Sequence, residues 1–155
     1  MPSRHRSRER ALQVLYQLDI APQPLQQALA AYYGSLYSEE PGTPPEPDPF
    51  MEELVRGALA RRDDLDALIR RHSQHWRLER MRVVDRNILR LAIWEMTATQ
   101  TAAAVVIDEA LELAARFSEP DAGAFLNGVL DAVRRELTNT KTTHDPSPQS
   151  QQDLH

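Results

Sequence analysis

The strongest concentration of one chemistry in this sequence is Arg4, Arg6, Arg8 and Arg10, four arginines within seven residues opposed only by Glu9. Guanidinium groups in such a cluster suit the oxygens of phosphate. They stand at the start of a predicted helix, where the partial positive charge of the helix end makes each added cation cost about 0.3–1 kcal/mol. A chain shaped only for folding would place acids in that turn. The run therefore reads either as an anion-binding arm aimed at phosphates or as a solvated, frayed terminus with incidental arginines. Tyr16, in the same helix, is either a half-buried packing residue at the core edge or a stacking surface for a single-stranded base. His72 and His75, with Glu79 as a conceivable third donor, have the types for a metal site, but the helix is expected to end between them. Such groups at a helix end are commonly incidental, and no metal is expected there. Glu95, set among apolar neighbours, is expected to be partly buried and then to need a partner. A catalytic role for it is not expected.

The elements that would carry these residues are all helical. Residues 3–20 form the first helix, capped by Ser3 or Ser7, with Ala11, Leu12, Leu15 and Leu18 as its core stripe and Pro22 at its end. A shorter helix is expected over 25–37. Residues 38–49, SEEPGTPPEPDP, hold five prolines and a glycine and read as an exposed acidic loop. Asp48-Pro49 then serves as cap and first residue of one long helix from Phe50 to about His72. Trp76 and Leu78 are expected to seal the end of that half. Residues 83–98, VVDRNILRLAIWEMTA, are apolar around most of their circumference and should form the most buried helix, with Arg86 and Arg90 on its wetter side and Asp85 as a cap or first-turn acid.

Residues 102–137 contain two further striped helices broken at Ser118-Glu119-Pro120. Val106, Ala110, Leu113, Ala114 and Phe117 make the first stripe; Phe125, Leu126, Val129, Leu130, Val133 and Leu137 make the second. Pro120 suits the first turn of the last helix, and Asp121 beside it is favourable for the helix dipole. Asn127-Gly128 has no strand pattern around it, so Gly128 is placed inside the helix. The cost of about 1 kcal/mol against alanine is usually tolerated where another backbone comes close. Residues 138–155, TNTKTTHDPSPQSQQDLH, are too polar to offset their own ordering and are expected to be a disordered tail. The organisation expected is one helical domain over 1–137 followed by that tail.

The chain has 155 residues, enough for one domain with a hydrophobic core. With no cysteine, disulfides and thiolate metal sites are excluded. No apolar run approaches the roughly 20 residues of a membrane helix, and the basic N-terminus lacks the apolar segment of a signal peptide. A cytoplasmic protein is expected. The net charge of −5 argues against a generic nucleic-acid coat, while the basic first ten residues favour a local binding site. There is no Gly-rich phosphate loop, no GxSxG and no recognisable triad motif, so no enzyme is expected and no cofactor is implied.

Three blocks carry a resemblance. RHRSRERALQVLYQLDI is similar to the arginine-rich first helix of the bacterial transcription antitermination factor NusB family, with the aliphatic-Tyr pair at Leu15-Tyr16. VVDRNILRLAIWEM resembles the family's acid-then-apolar helix, with an aromatic-Glu pair at Trp94-Glu95. VVIDEALELAARF followed by FLNGVLD resembles its C-terminal signature and is the most specific part. Residues 22–74 match only in being helical. The resemblance implies an all-α, NusB-like fold of about six to seven helices in two packed subdomains. It implies binding to the boxA element of nascent rRNA-operon RNA together with NusE, a small-subunit ribosomal protein, within the RNA polymerase antitermination complex. A homodimer is also possible, since both monomers and dimers occur in the family. Carried over by position, Arg4, His5, Arg6 and Arg8 become RNA-facing candidates for phosphates. Tyr16 and Phe125 become candidates near bases, with Asp121 at the edge of that surface. Asp85 and its neighbours Arg86 and Leu89 would face the protein partner. The chain departs from the family's pattern at Asp108-Glu109, usually Asn-Glu, at Ala104, often basic, and at His5 and Ser7, which thin the arginine run. These changes lower the RNA affinity expected at neutral pH. The competing reading is a NusB-like protein-interaction module that binds no RNA.

Overall fold

The computed structural model describes residues 2–39, 42, 44–73 and 77–144, with side chains described to residue 140. The expected seals and ligands Trp76 and His75 lie outside the described residues. The elements are α1 (Arg4–Ile20), α2 (Leu25–Glu39), α3 (Pro49–Ala60), α4 (Arg62–His72), a 3-10 turn at Leu78–Arg80, α5 (Val83–Ala98), α6 (Ala103–Phe117) and α7 (Ala122–His144). The all-α expectation holds, and the described residues contain no strand.

Local chemistry fixes the starts of the helices that matter for the site. Ser3 caps α1: its hydroxyl accepts a hydrogen bond from the Arg6 N–H at 3.1 Å. Ser7, the other candidate, is buried and instead donates to the Asp48 carboxylate at 2.6 Å. Asp48 also caps α3 by accepting from the Met51 N–H at 3.0 Å, with Pro49 in the first turn. The two helix starts are thereby tied together, and the acidic loop before Asp48 is anchored on α1. Gly42, in that loop, has φ of 93°, a conformation open to glycine.

α5 is the central helix. Asp85 and every residue from Asn87 to Glu95 are buried, with α1, α3, α4, α6 and α7 packed around it. Its Trp94 fits against Gly57 of α3, where an added Cβ would run into the indole. The apolar core is one cluster from Ala11 on α1 through Ile69 on α4 to Val133 on α7, so the two halves of the domain share it.

Several expectations need correction. The single helix over 50–72 is two helices broken at Arg61 (φ −109°, ψ 18°), whose N–H still bonds the Gly57 carbonyl. Asp63 and Asp64 lie in the first turn of α4, where acids favour a new start. Arg90 is not on a wet side but buried at 4% exposure. Pro120 and Asp121 form the turn before α7 and are not in its first turn. Gly128 has no neighbouring atom within 4 Å of the position a Cβ would take, so close approach of another part of this chain does not explain it. The tail expected from residue 138 begins later: α7 continues to His144, with the Thr138 hydroxyl donating to the Arg134 carbonyl at 3.0 Å. No proline occurs between Pro120 and Pro146, and extending a formed helix fixes one residue per added hydrogen bond. Residues 145–155 lie outside the described residues.

Candidate nucleic-acid interface

The arginines of α1 separate by helical face. Arg4 and Arg6 are exposed, and among the described residues neither has a carboxylate within ion-pair distance. The Arg4 guanidinium lies over the Phe50 ring at 4.3 Å from its centroid, which holds it at the α1–α3 seam. Arg8 belongs to the core face. It is buried and donates to both oxygens of Glu95, from Nε at 2.8 Å and from an NH2 group at 2.6 Å. Those hydrogen bonds, followed by the Glu95 and Glu109 charges, hold the guanidinium pKa above its ordinary value. The expectation that Arg8 faces phosphates is therefore corrected: it is the partner that buried Glu95 requires. The signal was in the spacing, since Arg8, Leu12 and Leu15 fall on one helical stripe. Arg10 is also drawn inward, with one NH2 group 3.2 Å from Asp48.

His5 is half-buried and set among acids. Its Nδ1 lies 2.8 Å from Glu109 and 3.5 Å from Glu112 on α6, and its Nε2 lies 3.0 Å from Glu9. The hydrogen bond to Glu109 raises its pKa above the usual 6.5, and the charges of Glu109, Glu9 and Glu112 add to the effect. A His5 cation in this setting is neutralised locally and offers little to a phosphate. Glu9 and Glu112, absent from the expected set, are joined to it by geometry that the sequence did not suggest.

Tyr16 is exposed and stands on the wall of a groove of about 610 Å³ between α1 and α2. Leu12, Ala28, Tyr32, Val84 and Phe117 line the same groove, so Tyr16 sits on an apolar surface at the opposite end of α1 from Arg4. The groove combines residues from four helices and was not visible as a motif.

The residues expected to face a protein partner are largely internal. Leu89 is fully buried, so it cannot touch one directly. Arg86 forms a two-pronged ion pair with Asp19, at 2.8 and 2.9 Å. Asp85 is 8% exposed and accepts from the Ser118 hydroxyl at 2.6 Å. The cause is the dense packing around α5: its first turn meets both the end of α1 and the α6–α7 turn. Val84, next to Asp85, is the residue there that reaches the groove.

Phe125 is half-buried and packs against the core, while Asp121 is exposed. α7 packs on α4, α5 and α6, and Phe125 packs against the core from that helix. α6 meets α1 through Arg116, which bonds Glu9 at 2.6 Å, five positions before Asp121. Of the other metal candidates, His72 lies 3.0 Å from Glu136 and Glu79 pairs with Arg70 at 2.8 Å. No helix among the described residues is long and apolar enough to cross a membrane.

Comparisons with known proteins agree with this architecture. The family model described as "NusB family" matches residues 5–135. A protein of Solibacter usitatus named transcription antitermination protein NusB is 56% identical over 137 residues, covering 88% of this chain and 92% of its own length. The solved structure of NusB from T. maritima superposes with a TM-score of 0.73 at 31% identity, over 87% of this chain and 92% of that one. A structure of antitermination factors NusB and NusE in complex with dsRNA has a TM-score of 0.72 at 23% identity, over 87% of this chain and 99% of that chain. At that identity it speaks for the fold.

Proposed function

Because the chain belongs to the NusB family of non-enzymatic transcription antitermination factors, we propose that it binds the boxA element of nascent rRNA-operon transcripts, with Arg4 and Arg6 at the first turn of α1 as its phosphate contacts. The observation that carries this reading is the exposure of two arginines in the first turn of α1 that have no carboxylate partner among the described residues, while Arg8 and Arg10 of the same helix are ion-paired. Two cations at a helix N-terminus oppose folding, so a ligand that needs them is the economical explanation. Tyr16 is assigned to the protein partner and not to a base. It lies in an apolar groove with no exposed arginine in its lining, a surface suited to protein side chains. The partner proposed is a NusE-type small-subunit ribosomal protein, seated on the groove beside Val84 and Asp85. The complex would then join the polymerase antitermination assembly in the cytoplasm. The NusB–NusE–RNA neighbour supports this pairing by its composition.

One observation favours a second reading, a protein-interaction module without RNA. Arg8 is bound internally and His5 is neutralised by acids, so half of the expected basic set is not free for phosphate. Binding of a boxA-like single strand, measured by fluorescence anisotropy with and without NusE at several salt concentrations, separates the two. Phosphate contacts by two arginines predict affinity that NusE increases and salt weakens, by roughly 0.7 log unit per contact on a log–log scale. A salt-independent signal, or none, with NusE still bound would leave the interaction module.

A further inference from the structure

Among the described residues, one group of His, Asp and Glu side chains converges with metal-like spacing: His5, Glu109 and Glu112. Their donor atoms all lie within 4.8 Å of one another. A tetrahedral ion with ligands at about 2.0–2.2 Å puts neighbouring donors roughly 3.3–3.6 Å apart. His5 Nδ1 and Glu112 are already 3.5 Å apart, while His5 Nδ1 and Glu109 are 2.8 Å apart, the spacing of a shared proton. Replacing that proton by an ion requires the pair to open by about half an ångström. Both glutamates sit on one face of α6 at i and i+3, so the helix presents them together.

A second, independent feature lies on the other side of the ring. His5 Nε2 is 3.0 Å from Glu9, a buried carboxylate fixed in turn by Arg116 at 2.6 Å. A metal-binding histidine ordinarily donates its remote N–H to such a carboxylate, which sets the tautomer and the ring orientation. Here it leaves the Nδ1 lone pair directed at Glu109 and Glu112. We propose that His5, Glu109 and Glu112 bind a divalent transition-metal ion of the Zn2+ type, with Glu9 as the positioning residue for the histidine.

Binding exchanges the His5 Nδ1 proton for the ion: the N–H bond breaks, the proton leaves to solvent, the nitrogen lone pair passes to the metal, and no oxidation state changes. The charge balance suits a dication. Glu9, Glu109 and Glu112 supply three negative charges, against Arg116 on Glu9 and Arg8 at 3.7 Å from Glu109. One imidazole with two carboxylates favours Zn2+ over Mg2+, which prefers an all-oxygen shell. The ion would occupy the same helical turn as Arg4 and Arg6, and exchanging one proton for a dication makes that spot beside the arm one charge unit more positive. Nothing in the geometry depends on RNA binding.

The test is calorimetric titration of the untagged full chain with Zn2+, and separately with Mg2+, at pH 7.5 and pH 6. The expected result is one Zn2+ per chain, no comparable Mg2+ binding, and weaker Zn2+ binding at pH 6, where the proton competes for Nδ1. His5→Ala and Glu112→Gln should each weaken Zn2+ binding by more than about ten-fold, the least that losing an outer partner costs. Glu112 is 63% exposed in its side chain, so that variant should not threaten the fold, and circular dichroism is the check for both. His72→Ala should bind as the unmodified chain does. Zn2+ binding that survives both substitutions, or the absence of saturable binding, overturns the proposal and leaves His5 as a proton-bridged ion pair.

Discussion

On α5, Arg86 and Arg90 direct their hydrogen bonds to two carboxylates: Arg86 grips Asp19, and Arg90 grips Asp66 while reaching Asp19 at 3.0 Å. On the first turn of α1, Arg4 and Arg6 reach no carboxylate among the described residues, and Arg4 rests on the Phe50 ring. The side chain is the same, and in both places it recurs at short helical spacing. The difference lies in the helix packed opposite. α5 is surrounded, and an arginine there must bring a counter-charge or not be buried at all. The first turn of α1 leaves Arg4 and Arg6 exposed, so these cations remain hydrated and available. Arg8 marks the boundary: one turn after Arg4, it already follows the α5 pattern.

The sharpest way to break this comparison is at Arg8. Arg8→Ala should destabilise the protein by roughly 3–5 kcal/mol, because it leaves the Glu95 carboxylate buried without a partner. Chemical denaturation reads the loss directly. Pairing Arg8→Met with Glu95→Leu removes both charges and should recover most of it. If Arg8→Ala instead left stability untouched and weakened RNA binding, Arg8 would belong with Arg4 and Arg6.

The α5 side can be tested through pH. Burial alone would push Asp19 upward, but hydrogen bonds from Arg86 and Asn87 and the charges of Arg86 and Arg90 bring it down to about 2, from an ordinary 3.8. Its ionised form is thus favoured in the folded chain. That contribution, roughly 2 kcal/mol, is complete above the unfolded value and is lost as the pH falls through the folded one. Stability should drop between about pH 4 and pH 2, and Asp19→Asn, already destabilised at neutral pH, should show a shallower drop over that window. An unchanged slope in the variant would mean that other carboxylates carry the acid sensitivity.

The arm responds in the opposite manner. Replacing Arg4 and Arg6 with alanine should leave stability equal or slightly higher, since two cations leave a helix N-terminus. The salt slope of RNA binding should flatten by roughly 1.4 units, for two single-strand phosphate contacts. A loss of stability as large as that for Arg8→Ala would show that the two groups of arginines are not distinct after all.

How far the sequence could take this division is clear from particular residues. The burial of α5, a serine cap on α1 (Ser3 or Ser7), the Asp48-Pro49 cap and the need of Glu95 for a partner were legible, because each depends on periodicity or on chemistry within a few residues. The identity of that partner was not: it stands 87 positions away, on another helix. The same holds for Asp19 with Arg86, for His5 with Glu109, and for the groove shared by Tyr16, Val84 and Phe117. The break at Arg61 was missed for a different reason: Arg61 is itself a good helix former, and the acids Asp63 and Asp64 that mark a new start after it are weak signals inside an apolar stripe.

The smallest effect is expected at Asp121, and it asks how far the basic surface extends from the arm. Asp121 is exposed in the turn before α7, and α6 reaches α1 five residues earlier through Arg116 and Glu9. Because it precedes the helix, its carboxylate still lies near the positive end of α7, where a negative charge is worth about 0.3–1 kcal/mol. Asp121→Asn removes that charge while keeping the side-chain shape and its capacity to accept a hydrogen bond, so only a small loss of stability is expected. If RNA passes from Arg4 and Arg6 across the α6–α7 turn toward Phe125, the carboxylate repels the backbone, and the substitution tightens binding. The gain should be visible at low salt and fade near physiological salt, where screening acts over about 8 Å. Affinity equal to that of the unmodified protein at both salts would confine the interface to the first turn of α1 and take Phe125 out of it.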